Sequence, residues 1–239
     1  MSVEVWLTHL FSGAPLLVAL VIAAALGLRH ASDPDHLVAV TSLVAADGGD
    51  TRGAARLGAW WGLGHAGTLL VIGLPLIFFK SSLPGWLENA AERAVGVVIL
   101  LLALRVILKW LRGDYRVDRH AHVQGHGVSE RHLQRGLSPG HRHVRARTPQ
   151  QALSIGMLHG LAGTGAVVLL LIAALPTQLE AAAALAVFAP MSLVSMALCT
   201  TAFAWILTRP LIQPLYRTVI IPAFGLFGLT FGLWYAGIA

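Results

Sequence analysis

Gly27-Leu28-Arg29-His30-Ala31-Ser32-Asp33-Pro34-Asp35-His36-Leu37 interrupts an apolar run that extends from about Leu10 to Ala46. Counted from Ala14 to Ala46, a straight helix would be about 50 Å long. A bilayer hydrocarbon core is only about 30 Å thick. Pro34 carries no amide hydrogen, crowds the preceding turn and pushes Asp33 out of helical geometry. The spacing therefore predicts one span that ends near His30 and a short new helix that starts at Pro34. Asp33 is placed as its N-cap and Pro34 as its first helical residue. A broken helix at membrane depth is tolerated only where it faces protein or a wet cavity, so function is expected at this break.

Working outward, the rest of the chain reads in the same solvent. Of 239 residues, 56% are hydrophobic and only 12% charged, against about 25% charged in soluble domains. This excludes an ordinary soluble domain. Apolar runs recur at about Leu57–Phe79, Ala94–Leu111, Ala152–Leu175, Ala182–Leu207 and Val219–Ile238. The expected fold is an all-α integral membrane protein of about six transmembrane helices, the first of them broken at Asp33-Pro34. A first half of three spans (1–111) and a second half of three spans (149–239) flank an Arg/His-rich polar loop (112–148). Gly27-Leu28-Arg29-His30 and Gly156-Met157-Leu158-His159 echo one another in the opening span of each half, and Gly62-Leu63-Gly64-His65 repeats the pattern. Three spans per half would place the halves in opposite orientation, as in a 3+3 inverted repeat.

The net charge of +6 lies mostly in one loop, so it reads as a topology signal and not as a nucleic-acid footprint. Eight arginines fall between Arg112 and Arg147, Arg52 and Arg56 flank the second span, and Arg209 and Arg217 precede the last. With six spans these segments share one side, which the positive-inside rule makes cytoplasmic. Residues 1–9 hold Glu4 but no Lys or Arg, so the basic start of a cleaved signal peptide is missing. Cys199, inside an apolar run, offers neither a disulfide frame nor a thiolate cage.

An ionisable side chain at membrane depth costs about 2.5–3.5 kcal/mol on insertion scales. His30, Asp33, Asp35 and His36 fall within seven consecutive positions, and His30–Asp33 and Asp33–His36 are i,i+3 pairs. Two imidazoles and two carboxylates make a nitrogen and oxygen donor set without sulfur. Such a set suits borderline divalent ions such as nickel, cobalt or zinc. His65 follows Gly62 and Gly64 in the second span, and His159 is followed by Gly160, Gly163 and Gly165 in the fourth. Either imidazole could simply bond a backbone carbonyl. The glycines equally allow close helix approach, which would bring both to the first cluster, with Ser154 and Thr164 as hydroxyl partners that fix a tautomer. The candidate metal residues are thus His30, Asp33, Asp35, His36, His65 and His159.

His30-x4-Asp35-His36 resembles the HX4DH signature of the nickel/cobalt transporter superfamily. Leu158-His159-Gly160-Leu161-Ala162-Gly163 is similar to the HGLAG stretch of its urease-accessory-type (UreH-like) branch. The resemblance covers both ends of the membrane portion, while the central loop is generic. It implies a secondary carrier of Ni²⁺ or Co²⁺ in the cell membrane, with His30, Asp35 and His36 as ion ligands and no cofactor beyond the transported ion. The chain departs from the family in having six expected spans, not eight, and in lacking a clear match to the acidic second-half motifs of uptake permeases.

Three functions fit these residues. A carrier of divalent transition metal is favoured. An intramembrane metalloenzyme would use the same histidines, but no H-E-x-x-H occurs and repeated His boxes are confined to the arginine-rich loop. A membrane-embedded sensor or maturation partner for urease or hydrogenase would bind metal without flux. Its partners would be a cytosolic metallochaperone or urease-type maturation proteins, in addition to the bilayer and the ion. No G-x-x-x-x-G-K-[ST] loop is present, so transport energy would come from an ion gradient or a partner.

The loop histidines His120, His122, His126, His132, His141 and His143 are interleaved with Arg119 and Arg142, which oppose cation binding. This segment reads as a solvated linker or as a weak metal buffer, through His120-x-His122-x3-His126 and His141-x-His143. Replacing 120–143 by a Gly/Ser linker of equal length should leave metal flux within about threefold of wild type. Abolished flux in a stably inserted variant would overturn the linker reading.

Overall fold

The computed structural model describes residues 16–46, 51–112, 148–207, 209 and 212–238. The loop histidines and Arg217's side chain lie outside the described parts. The described residues form helices and turns only: α1 (Leu16–His30), α2 (Pro34–Ala46), α3 (Thr51–Phe78), α4 (Gly85–Leu111), α5 (Pro149–Ala174), α6 (Gln178–Leu207), a one-turn α7 (Gln213–Leu215) and α8 (Ile221–Tyr235). A π-helical turn, Tyr216–Ile220, leads into α8. The chain is a multi-pass membrane protein. Four helices are long and apolar enough to cross a bilayer, and α1 with α2 makes a fifth if that pair, bent by 48°, is one span. Exposed Leu17, Val71, Phe79, Leu101, Leu198 and Trp234 give the helices an apolar outer surface suited to lipid.

The break falls where Pro34 requires it. Asp33 ends the turn and its carbonyl accepts from Leu37 N at 3.0 Å, the first intrahelical bond of α2. Elsewhere the starts are set by local chemistry. Thr148 caps α5 reciprocally with Gln151, each backbone N–H bonding the other's side-chain oxygen at 3.3 Å, and Pro149 takes the first helical position. Thr177 and Glu180 make the same exchange before α6.

The main helix contacts are α3 with α5, α3 with α6, α1 with α6, and α4 with α8. One apolar cluster, including Ala19, Leu69, Ile77, Val168 and Leu185, fills the space between α1, α3, α5 and α6. Another joins Val38 of α2 to Val95 and Ile99 of α4. The short helix α2 thus lies between the α1–α3–α5–α6 group and the α4–α8 pair.

Glycine makes the tightest of these contacts. A Cβ on Gly156 would collide with the Trp61 carbonyl, one on Gly64 with the Leu153 carbonyl, and one on Gly160 would lie 2.6 Å from the His65 carbonyl. The backbones of α3 and α5 therefore touch over two turns, as small residues permit. Gly163, by contrast, faces open space. Gly156→Ala should destabilise the detergent-solubilised protein by about 1–3 kcal/mol, whereas Gly163→Ala should change it by less than about 0.5 kcal/mol. Thermal melting of the two variants checks this, and equal melting temperatures would refute it.

Candidate metal site at the helix break

The break is held from outside as well as by Pro34. The turn 31–33 closes with Ser32 N on the Arg29 carbonyl at 2.8 Å and Asp33 N on the His30 carbonyl at 3.1 Å. From α6, Ser195 Oγ donates to the Leu28 carbonyl at 2.5 Å, and Cys199 Sγ lies 3.9 Å from the Ala31 carbonyl. Carbonyls that the end of α1 leaves without an intrahelical partner are in this way tied to a neighbouring helix. His30 ends up on the last turn of α1 and His36 on the first turn of α2, facing α3.

Three imidazoles converge there. His30, His36 and His65 each offer a ligand atom, and these atoms all lie within 4.8 Å of one another. Ring centroids are 4.5 Å apart for His30–His36, 4.9 Å for His30–His65 and 5.3 Å for His36–His65. His159, from α5, stands 5.5 Å from His36 by ring centroid. His36, His65 and His159 are each at most 3% exposed. Trp61 packs against both His36 and His159, and Phe188 against His30.

Hydrogen bonds assign the tautomers. Asp33 Oδ2 is 3.0 Å from His30 Nδ1, and Asp35 Oδ1 is 3.0 Å from His36 Nδ1. A carboxylate only accepts, so each Nδ1 donates and each Nε2 carries a lone pair. His30 Nε2 and His65 Nε2 are 3.0 Å apart, so in this arrangement His65 donates and His30 accepts. His159 Nδ1 donates to the Ile155 carbonyl at 3.0 Å, which leaves its Nε2 as a lone pair too. His36 Nε2, His65 Nδ1, His159 Nε2 and Trp61 Nε1 are buried with no hydrogen-bond partner. Each such group costs about 1–3 kcal/mol, and the three imidazole nitrogens among them call for a ligand, whereas the indole N–H of Trp61 is a donor that a cation would not satisfy.

The donor set is chemically consistent with that. The His30 and His65 Nε2 atoms, 3.0 Å apart, match adjacent corners of a coordination sphere with metal–nitrogen bonds of about 2.1 Å once the His65 proton sits on Nδ1 and leaves Nε2 as a lone pair. Each imidazole from the broken segment backs onto a carboxylate, the arrangement that fixes ring orientation and raises donor strength at metal sites. Nitrogen donors without thiolate suit nickel, cobalt or zinc.

Of the six residues expected from sequence, the structure brings His30, His36 and His65 together, places Asp33 and Asp35 behind two of the imidazoles, and sets His159 at the edge. Asp33 was expected as a cap. Its carboxylate reaches back to His30 instead, while its carbonyl begins α2. Ser154 and Thr164 do not serve the imidazoles: they donate to the Gln150 and Gly160 carbonyls of their own helix, and the Ile155 carbonyl orients His159. The contact partners Phe188 and Ser195 carried no motif. The one sequence signal that could have found Trp61 is its i,i+4 spacing from His65.

Comparison with known proteins agrees with this chemistry. The chain is 30% identical over 155 residues to the urease accessory protein UreH of Bacillus sp. strain TB-90, covering 65% of this chain and 62% of the relative. It is 31% identical over 140 residues to the high-affinity nickel transport protein of Cupriavidus necator, covering 54% of this chain and 39% of that protein. It is also 30% identical over 129 residues to the hydrogenase nickel incorporation protein HupN of Bradyrhizobium diazoefficiens, covering 50% and 33%. The chain thus spans between one third and two thirds of the length of these relatives. No family model and no solved structure matches it. The relatives carry the names of a urease accessory protein, a nickel transport protein and a hydrogenase nickel incorporation protein, and the chain is similar to each of them over half to about two thirds of its own length.

Proposed function

We propose that this protein is a secondary transporter of divalent transition-metal ions, Ni²⁺ or Co²⁺ above others, in the cytoplasmic membrane. The observation that carries the reading is the convergence of the His30, His36 and His65 ligand atoms within 4.8 Å at the break of an apolar helix. In this reading the three imidazoles hold the ion. Asp33 and Asp35 act through His30 and His36, and their two negative charges balance a divalent cation where an unbalanced charge would be costly. A monovalent ion would leave one carboxylate uncompensated. Water completes the coordination sphere. Six spans, with the halves in opposite orientation, are the proposed frame, and ion movement is a rocking of helix groups about the break. The relatives' names denote transport and accessory proteins, not catalysts, which supports a non-enzymatic role.

A second reading draws on the relative named as a urease accessory protein: a membrane partner that binds metal and passes it to maturation proteins without flux. Reconstitution separates the two. Proteoliposomes loaded with the protein should take up ⁶³Ni or ⁵⁷Co above empty vesicles, and His30→Ala, His36→Ala or His65→Ala should each lower flux by about a hundredfold or more with membrane insertion intact. Metal binding without flux would favour the accessory reading. Wild-type flux in His36→Ala would remove the proposed site.

A further inference from the structure

His159 is set apart from the other three histidines in two respects. It is not among the residues whose ligand atoms lie within 4.8 Å of one another, and its tautomer is fixed by its own helix, through the Ile155 carbonyl, rather than by a carboxylate as for His30 and His36 or by another imidazole as for His65. It is nevertheless buried, 2% exposed, with an unpartnered Nε2 lone pair. Across from it, His36 also has an unpartnered Nε2 lone pair, with the rings 5.5 Å apart. His36 therefore belongs to two pairings, one with His30 and His65 and one with His159.

The residue that orients His159 also opens outward. Ile155 lines a surface cleft of about 570 Å³, together with Arg105 of α4 and Thr148, Gln150, Gln151 and Ser154 at the start of α5. His159 thus lies one helical turn along α5 from Ile155 at a polar opening, whereas none of the cleft-lining residues belongs to the elements that carry His30, His36 and His65. Amide and hydroxyl oxygens at the opening suit a hydrated cation, and the guanidinium of Arg105 disfavours its retention, as expected of a passage and not of a storage site.

We propose that His36 and His159 form a second ion station, distinct from the His30–His36–His65 group, through which a divalent transition-metal ion passes between that group and the cleft at the start of α5. This rests on the ion-site reading of the preceding section. His36 is the shared donor: exchanging one imidazole partner at a time keeps the ion coordinated while it moves, so it is never stripped to bare charge in low dielectric.

Equilibrium binding of ⁶³Ni to the detergent-solubilised chain, alongside flux in proteoliposomes, tests this. In His159→Gln the dissociation constant should stay within about twofold of wild type while flux falls about tenfold or more. A dissociation constant weakened about tenfold or more would overturn the proposal in favour of a single four-histidine site. Flux equal to wild type would overturn it in favour of a histidine that only bonds Ile155. Should His159→Gln fail to fold, the wild-type chain decides: with one equivalent of Ni²⁺, X-ray absorption should fit three imidazoles, and a fit to four overturns the proposal. Absence of Ni²⁺ and Co²⁺ binding in wild type itself is the separate outcome that defeats the ion-site reading, and this one with it.

Discussion

Pro34 cannot donate an amide hydrogen, and the rest of the site depends on that. Without the break, His30 and His36 would lie on one continuous helix in i,i+6 relation, far around its circumference from each other. The turn at 31–33 brings their rings to 4.5 Å. It also frees backbone carbonyls that lipid could not satisfy, and Ser195 of α6 takes one of them. The polar break is tolerable because it is enclosed, and it is enclosed because neighbouring helices come close enough to reach it.

That approach is set by glycine. Where α3 meets α5, Gly64, Gly156 and Gly160 leave no room for a side chain, and the two histidines on these helices, His65 and His159, flank that contact. The same residues that let the helices touch also fix how far each imidazole projects toward the break. A methyl group at Gly156 would separate α3 from α5 and displace a nitrogen donor as much as it would disturb packing.

Much of the fold was legible in the sequence because apolar run length and proline position are local signals: the break lies at Pro34 and the helices end close to the expected ends at Phe78, Leu111, Ala174 and Leu207. By contrast, α3 begins at Thr51 and α4 at Gly85, well before the expected Leu57 and Ala94, because a helix continues into polar residues that an apolar run does not count. The site was legible in its residue types, since imidazoles and carboxylates are costly in lipid and so stand out. Their division of labour was not. His30 and His65 are 35 positions apart, and which nitrogen faces which depends on helix packing that no spacing encodes. Ser154 and Thr164 show the opposite failure: a hydroxyl in an apolar helix finds its nearest acceptor on the preceding turn, a purely local rule that outweighs any distant imidazole.

The position of α2 has a thermodynamic consequence. Val38 of this helix packs against α4, while two residues earlier His36 faces α3 and α5. A ligand held jointly by His30, His36 and His65 would therefore act as a rivet that joins α1, α2 and α3. By mass action such cargo would raise the protein's resistance to unfolding by about 2.7 kcal/mol at a hundred times its dissociation constant. The chain would then be sturdiest while loaded and most pliable just after release.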